Sequence, residues 1–89
     1  MKIPVIFRKE KSGQFKGELT AVFPTLPASY NEMTCYAHVG QHSGCTFGWY
    51  YGTCAAKPAD YADLLAEVQS IYENKLVVRR RLTQAMRDL

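Results

Sequence analysis

The sequence predicts an α+β domain: a small antiparallel sheet of three to five strands packed on one long amphipathic helix, with a short C-terminal helix. Three observations carry this prediction. Apolar residues alternate in short runs at Ile3, Val5 and Phe7, at Leu19, Ala21 and Phe23, and at Met33, Cys35, Ala37 and Val39, which is the two-residue period of half-buried strands. Tyr61, Leu64, Leu65, Val68, Ile71 and Tyr72 recur instead at helical spacing. Glycine and proline punctuate the chain between these runs. The 89 residues make one domain, residues 1–89. A chain this size buries only about 60–65% of its unfolded surface, so the core is small.

Residues 2–8 form the first strand. Pro4 has no backbone N–H to donate, which predicts an edge strand or a strand start. The polar segment 9–17 is a turn with Gly13 and Gly17 as breakers, and residues 18–23 return as the second strand of a β-hairpin. Pro24-Thr25-Leu26-Pro27 ends that strand, and a loop over 28–31 leads to a third over 33–39. Cys35 and Met33 face one way on it, Thr34, Tyr36 and His38 the other. The run from Cys45 to Tyr51 favours a weak strand or an irregular aromatic loop, because Gly48 interrupts β-favouring residues. Residues 58–74 form the main helix, with Pro58 in the first turn and Asp60 and Asp63 near the positive end of the dipole. A last strand follows over 76–80, and Thr83 can cap a helix over 84–89. Leu64, Leu65, Val68 and Ile71 are expected to pack on Val5, Phe7, Leu19, Phe23 and Cys35.

The stretch Thr34–Cys54 stands apart. It holds all three cysteines, both histidines, the one tryptophan and four of the six glycines, and no charged residue. Cys35, His38, His42 and Cys45 resemble a compact zinc knuckle in their spacing. Zinc needs four ligands at tetrahedral angles, however, and strand alternation sends Cys35 and His38 to opposite faces. No metal and no cofactor are therefore expected. The glycines at 40, 44, 48 and 52 mark turns and close backbone approaches, since Gln41, His42 and Ser43 break any membrane-spanning run.

The formal net charge is +3, unevenly spread. Lys2, Arg8, Lys9, Lys11 and Lys16 lie near the start, and Lys75, Arg79, Arg80, Arg81 and Arg87 near the end. From Leu19 to Ala56 the single charge is Glu32. Asp60, Asp63 and Glu67, three and four residues apart, make an acidic stripe on one helix face. No apolar run is long enough to span a bilayer, so no membrane role is expected. Met1-Lys2-Ile3-Pro4 leads into a strand-like run rather than a signal peptide, and three cysteines make an odd count for a disulfide framework. Both point to the reducing cytoplasm.

A Cys–His nucleophile pair would need an orienting carboxylate, which the charge-free stretch lacks, and no phosphate-binding loop or dinucleotide fingerprint occurs. The expectation is a protein that is not an enzyme. Two binding readings remain. A neutral aromatic surface at Trp49, Tyr50 and Tyr51 has the composition of a protein interface, and the acidic stripe is an alternative one that mimics nucleic-acid phosphates. The aromatic surface also predicts a weak homodimer. Alternatively Arg79, Arg80 and Arg81, with Lys9 and Lys11, can meet nucleic-acid phosphates beside stacking aromatics. Alternation along the last strand divides that arginine run, and the net charge is modest, so this is the second reading.

Four segments together, Ile3–Lys9, Thr20–Thr25, Cys35–His42 and Tyr61–Glu67, resemble short proteins carried by bacteriophages and other bacterial mobile elements. The resemblance spans the chain from Ile3 to about Arg80. Some small phage proteins of this type are anti-CRISPR inhibitors. The resemblance implies a non-catalytic protein that blocks a host defence complex of the CRISPR-Cas type, and it carries over no catalytic residue. The alternative is a small nucleic-acid-binding protein, with or without a zinc knuckle.

Overall fold

The computed structural model describes residues 2–37 and 42–83, and these form an α+β fold. Strand β1 (Lys2–Lys9) and strand β2 (Leu19–Pro27) pair antiparallel as the expected hairpin, with Ile6 opposite Val22 and Lys9 opposite Leu19. Strand β3 (Glu32–Tyr36) adds to β2, and strand β4 (His42–Thr46) adds to β3. A short helix α1 (Phe47–Tyr51) follows, then a two-residue strand β5 (Cys54–Ala55), helix α2 (Pro58–Ile71) and strand β6 (Lys75–Arg79). The sheet has six strands in the order β4-β3-β2-β1, with β5 and β6 both against the far side of β1.

Several expectations are corrected. The sheet is larger than three to five strands and is not wholly antiparallel, because β6 runs parallel to β1 from Lys2–Lys75 to Ile6–Arg79. Strand β1 is central rather than an edge. Pro4 is tolerated because the ladder to β2 begins only at Ile6, so no N–H is called for on that side. Strand β2 continues through Pro24, which is buried, as far as Pro27. Phe23 pairs with Thr34 and Pro27 with Met33, so Pro24, Thr25 and Leu26 are taken out of the ladder as a bulge. The segment read as a weak strand or loop is instead the end of β4 and a helix. Thr46 turns the chain, its hydroxyl accepting the Trp49 N–H at 3.0 Å as an N-cap. Helix α2 has 14 residues and is shorter than the long helix predicted. The expected helix over 84–89 lies outside the described residues.

The sheet is covered on both faces. On one, α2 places Leu64 and Val68 on Ile3, Val5, Phe7, Ala21, Phe23, Tyr36 and Leu76, with Tyr61 stacked on Phe7 at 4.3 Å. On the other, Ile6, Val22, Met33, Cys35 and Cys45 pack under Tyr50 of α1, flanked by Phe47, Trp49 and Leu82. Cys35 therefore belongs to the face away from α2, as its alternation with Tyr36 requires, and not to the helix-facing core. Leu65 is only partly buried, and Ile71, at 46% exposed, sits outside the core. The Gln69 side chain joins α2 to β6, accepting the Leu76 N–H at 3.0 Å and donating to the Asn74 carbonyl at 3.1 Å.

The hairpin loop is closed at its base by the Glu10 N–H on the Glu18 carbonyl, 3.0 Å, and the Gly17 N–H on the Glu10 carbonyl, 2.9 Å. Gly13 and Gly17 take φ values of 82° and 89° there, a left-handed turn that a side chain would strain.

Candidate functional site

Strands β3 and β4 bring two cysteines together. Cys35 lies opposite Ser43, and Met33 opposite Cys45, so Cys35 and Cys45 are diagonal neighbours on one face. The Cys35 Sγ is 3.2 Å from the Ser43 Oγ. Hydrogen bonding from the Cys45 thiol is the main influence holding the Cys35 thiol down to about 6, with Ser43 assisting; burial and the Glu32 charge oppose it. Cys45 is pushed the other way, first by its bond to Cys35 and then by burial. All three cysteines are free.

Cys35, Ser43 and Cys45 line a cleft of about 400 Å³ together with Trp49, Phe15, Glu10 and Glu18. The Trp49 Nε1 donates to the Glu10 Oε1 at 2.9 Å, tying α1 to the hairpin loop. Phe15, at the tip of that loop, is 53% exposed. The cleft thus combines two aromatic rings, two carboxylates and a dithiol on a protein whose net charge is positive.

Of the zinc-knuckle candidates, Cys35 and Cys45 do not converge with His42. His42 lies against Tyr36 and Tyr72 on the α2 side, its Nε2 2.7 Å from the Tyr72 hydroxyl. Cys35 and Cys45 lie on the other face, so the sheet separates them from that imidazole. His38 is outside the described residues. Among the described residues no group of three or more His, Cys, Asp or Glu is arranged to hold a metal.

The acidic stripe is divided among three environments. The Asp60 carboxylate accepts the Lys57 N–H at 3.2 Å, capping α2, and lies 3.6 Å from the Lys9 Nζ. Glu67 accepts the Tyr36 hydroxyl, joining the helix to the sheet. Asp63 is exposed. The aromatic trio is divided as well. Trp49 is half-buried in the cleft wall, Tyr51 is 57% exposed, and Tyr50 is a core residue rather than a surface anchor.

Arg79, Arg80 and Arg81 are all exposed. Strand β6 ends at Arg79, so alternation no longer directs Arg80, and both line a second pocket of about 280 Å³. Lys57, Pro58 and Tyr61 complete its wall at the start of α2. Lys9 is drawn to this end of α2 by Asp60, and Lys11 is exposed in the hairpin loop.

Sequence reasoning passed over Glu10, Phe15, Glu18, Ser43 and Lys57. Glu10 and Glu18 had a usable signal: they stand on either side of the Gly13–Gly17 turn, which brings their backbones together. Ser43 had none, since its place opposite Cys35 depends on β4. No protein-family model, curated protein or solved structure matches this chain.

Proposed function

We propose that this chain is a non-catalytic binding protein of phage or mobile-element type that inhibits a host defence complex by occupying one of its surfaces. The cleft beside Trp49 is the observation that carries this reading. Interface centres favour tryptophan and other aromatics in a concave, partly desolvated setting. Here Trp49 and Phe15 supply the apolar area, and Glu10 and Glu18 supply negative charge at its margin. That combination fits an arginine or lysine side chain of the partner, with its aliphatic stem on the rings and its charge toward the carboxylates. Complexes that handle nucleic acids present such cations in quantity. The acidic stripe contributes through Asp63, while Asp60 and Glu67 also hold the fold together.

An inhibitor of this kind saturates at a fixed ratio to its target and does not turn over. The test is titration of a purified CRISPR-Cas effector with this chain, following nucleic-acid cleavage. Inhibition should level off at a stoichiometric ratio. Trp49→Ala should mainly speed dissociation, and Glu10→Gln with Glu18→Gln should slow association and reduce its salt dependence. Inhibition that continues to deepen with time at substoichiometric amounts would sink the proposal.

The second reading, nucleic-acid binding, is favoured by one observation: Arg79, Arg80 and Lys57 share a pocket at the start of α2. It predicts salt-sensitive binding to bare DNA or RNA, abolished when Arg79, Arg80 and Arg81 are replaced by alanine. Such binding at physiological salt would displace the inhibitor reading.

A further inference from the structure

We propose that Cys35 and Cys45 form a two-coordinate site for a soft, thiophilic cation, monovalent copper, which enters through the cleft beside Trp49. The argument begins with the donors. Both sulfurs lie on the sheet face away from α2, and both line the cleft. The ladder sets the Ser43 Oγ beside them, 3.2 Å from the Cys35 sulfur. His42 is across the sheet, bonded to Tyr72. Cys54 is on β5, at the opposite side of the sheet, with its thiol on the Lys9 carbonyl at 3.5 Å.

Donor number and type then choose the ion. Zinc takes four ligands at a structural site, and calcium and magnesium take oxygen. A pair of thiolates with no nitrogen beside them among the described residues suits monovalent copper, which binds sulfur strongly and accepts low coordination numbers. Both thiols are free to bind an ion. On binding, two copper–sulfur bonds form, two S–H bonds break, and both thiol protons pass to water. Copper stays monovalent, and nothing is oxidised or reduced.

The test uses the full chain, anaerobic and reduced, titrated into the coloured complex of monovalent copper with bicinchoninate. The chain should withdraw one copper per molecule. Cys35→Ser and Cys45→Ser should each weaken uptake by more than about tenfold, while Cys54→Ser should match the wild type. Phenylarsine oxide, which bridges two neighbouring thiols with loss of one water, should give one adduct on the wild type and on Cys54→Ser. It should give none on either of the other variants. Circular dichroism of each variant separates ligand loss from unfolding. Failure of the folded wild type to take up copper overturns the proposal even if the arsenical adduct forms. Uptake that persists in folded Cys35→Ser or Cys45→Ser, or that requires Cys54, also overturns it.

Discussion

The Arg8 guanidinium lies over the ring of Tyr50, 4.3 Å from its centroid, and fastens α1 to the central strand. Its Nε donates to the Thr53 hydroxyl at 2.8 Å, and its Nη2 donates to the Thr53 carbonyl at 2.7 Å and the Tyr50 carbonyl at 3.3 Å. The Tyr50 hydroxyl in turn accepts the Leu82 N–H at 2.9 Å. Arg8→Ala should lower stability by about 2–3 kcal/mol, the scale of hydrogen bonds to a charged group. Arg8→Lys should recover little, because an ammonium cannot reproduce the planar fork. Urea unfolding of both variants checks this, and a wild-type-like lysine variant would contradict it.

Helix α2 should show a steep contrast along its length. Leu64 is fully buried, so Leu64→Ala should cost about 2–5 kcal/mol. Ile71 is largely exposed, so Ile71→Ala should change stability by no more than about 0.5 kcal/mol. Leu65→Ala should fall between them. Equal losses at Leu64 and Ile71 in thermal or urea unfolding would mean that the helix is rotated from the orientation described.

The three carboxylates of α2 should also separate. Asp60→Ala removes a cap and should cost about 0.5–2 kcal/mol. Asp63→Ala should stay within about 0.5 kcal/mol. A triple replacement therefore mixes helix stability with recognition, and Asp63 alone is the informative site for partner binding. Comparing the melting curves of the single variants decides this.

In the metal-free chain the dithiol should give stability a distinctive pH dependence. Cys35 is held at about 6 against an ordinary 9.0, so between those values the folded chain binds fewer protons than the unfolded one. Stability rises with pH across that window. Cys45 is raised above 9.0. Past that point the unfolded chain loses protons that the folded chain keeps, and stability falls again. The difference in melting temperature between the wild type and Cys35→Ala/Cys45→Ala should therefore peak near pH 9. A difference that is flat from pH 6 to 10 would refute the pairing of the two thiols.

Self-association should be weak, in keeping with the aromatic side chains that remain outside. Tyr51 and Phe15 are both more than half exposed. Light scattering at rising concentration should reveal a dimer, and Tyr51→Ser should shift it toward monomer. A strict monomer at high concentration would reserve these rings for a foreign partner.

Period-two and helical patterns were enough to find the hairpin, β3, α2 and β6, because each of those elements buries one face against a neighbour. They did not reveal β4 or α1. Strand β4 carries His42, Ser43 and Gly44, with Cys45 its one buried residue, so it has no apolar alternation to read. Helix α1 is defined by a cap, Thr46 on Trp49, within aromatic residues whose propensity favours strands. The same two elements bring Ser43, Cys45 and Trp49 to the cleft. The cysteine pair was visible as a motif, but its partners were not. The spacing suggested His42, whereas the three-residue step from His42 to Cys45 along one strand puts them on opposite faces.

The parallel pairing of β1 with β6 bears on how this chain is made. Residues Lys2 to Ile6 of β1 gain their neighbour on the side away from β2 only when residues 75–79 have been synthesised. Until then a nascent chain can assemble the hairpin, β3 and β4, but Ile3, Val5 and Ile6 remain beside an open edge. Closing so long a loop comes late and slowly. Until β6 pairs, that edge of β1 is open to another chain, which makes the unpaired intermediate the species most exposed to aggregation and to chaperone capture.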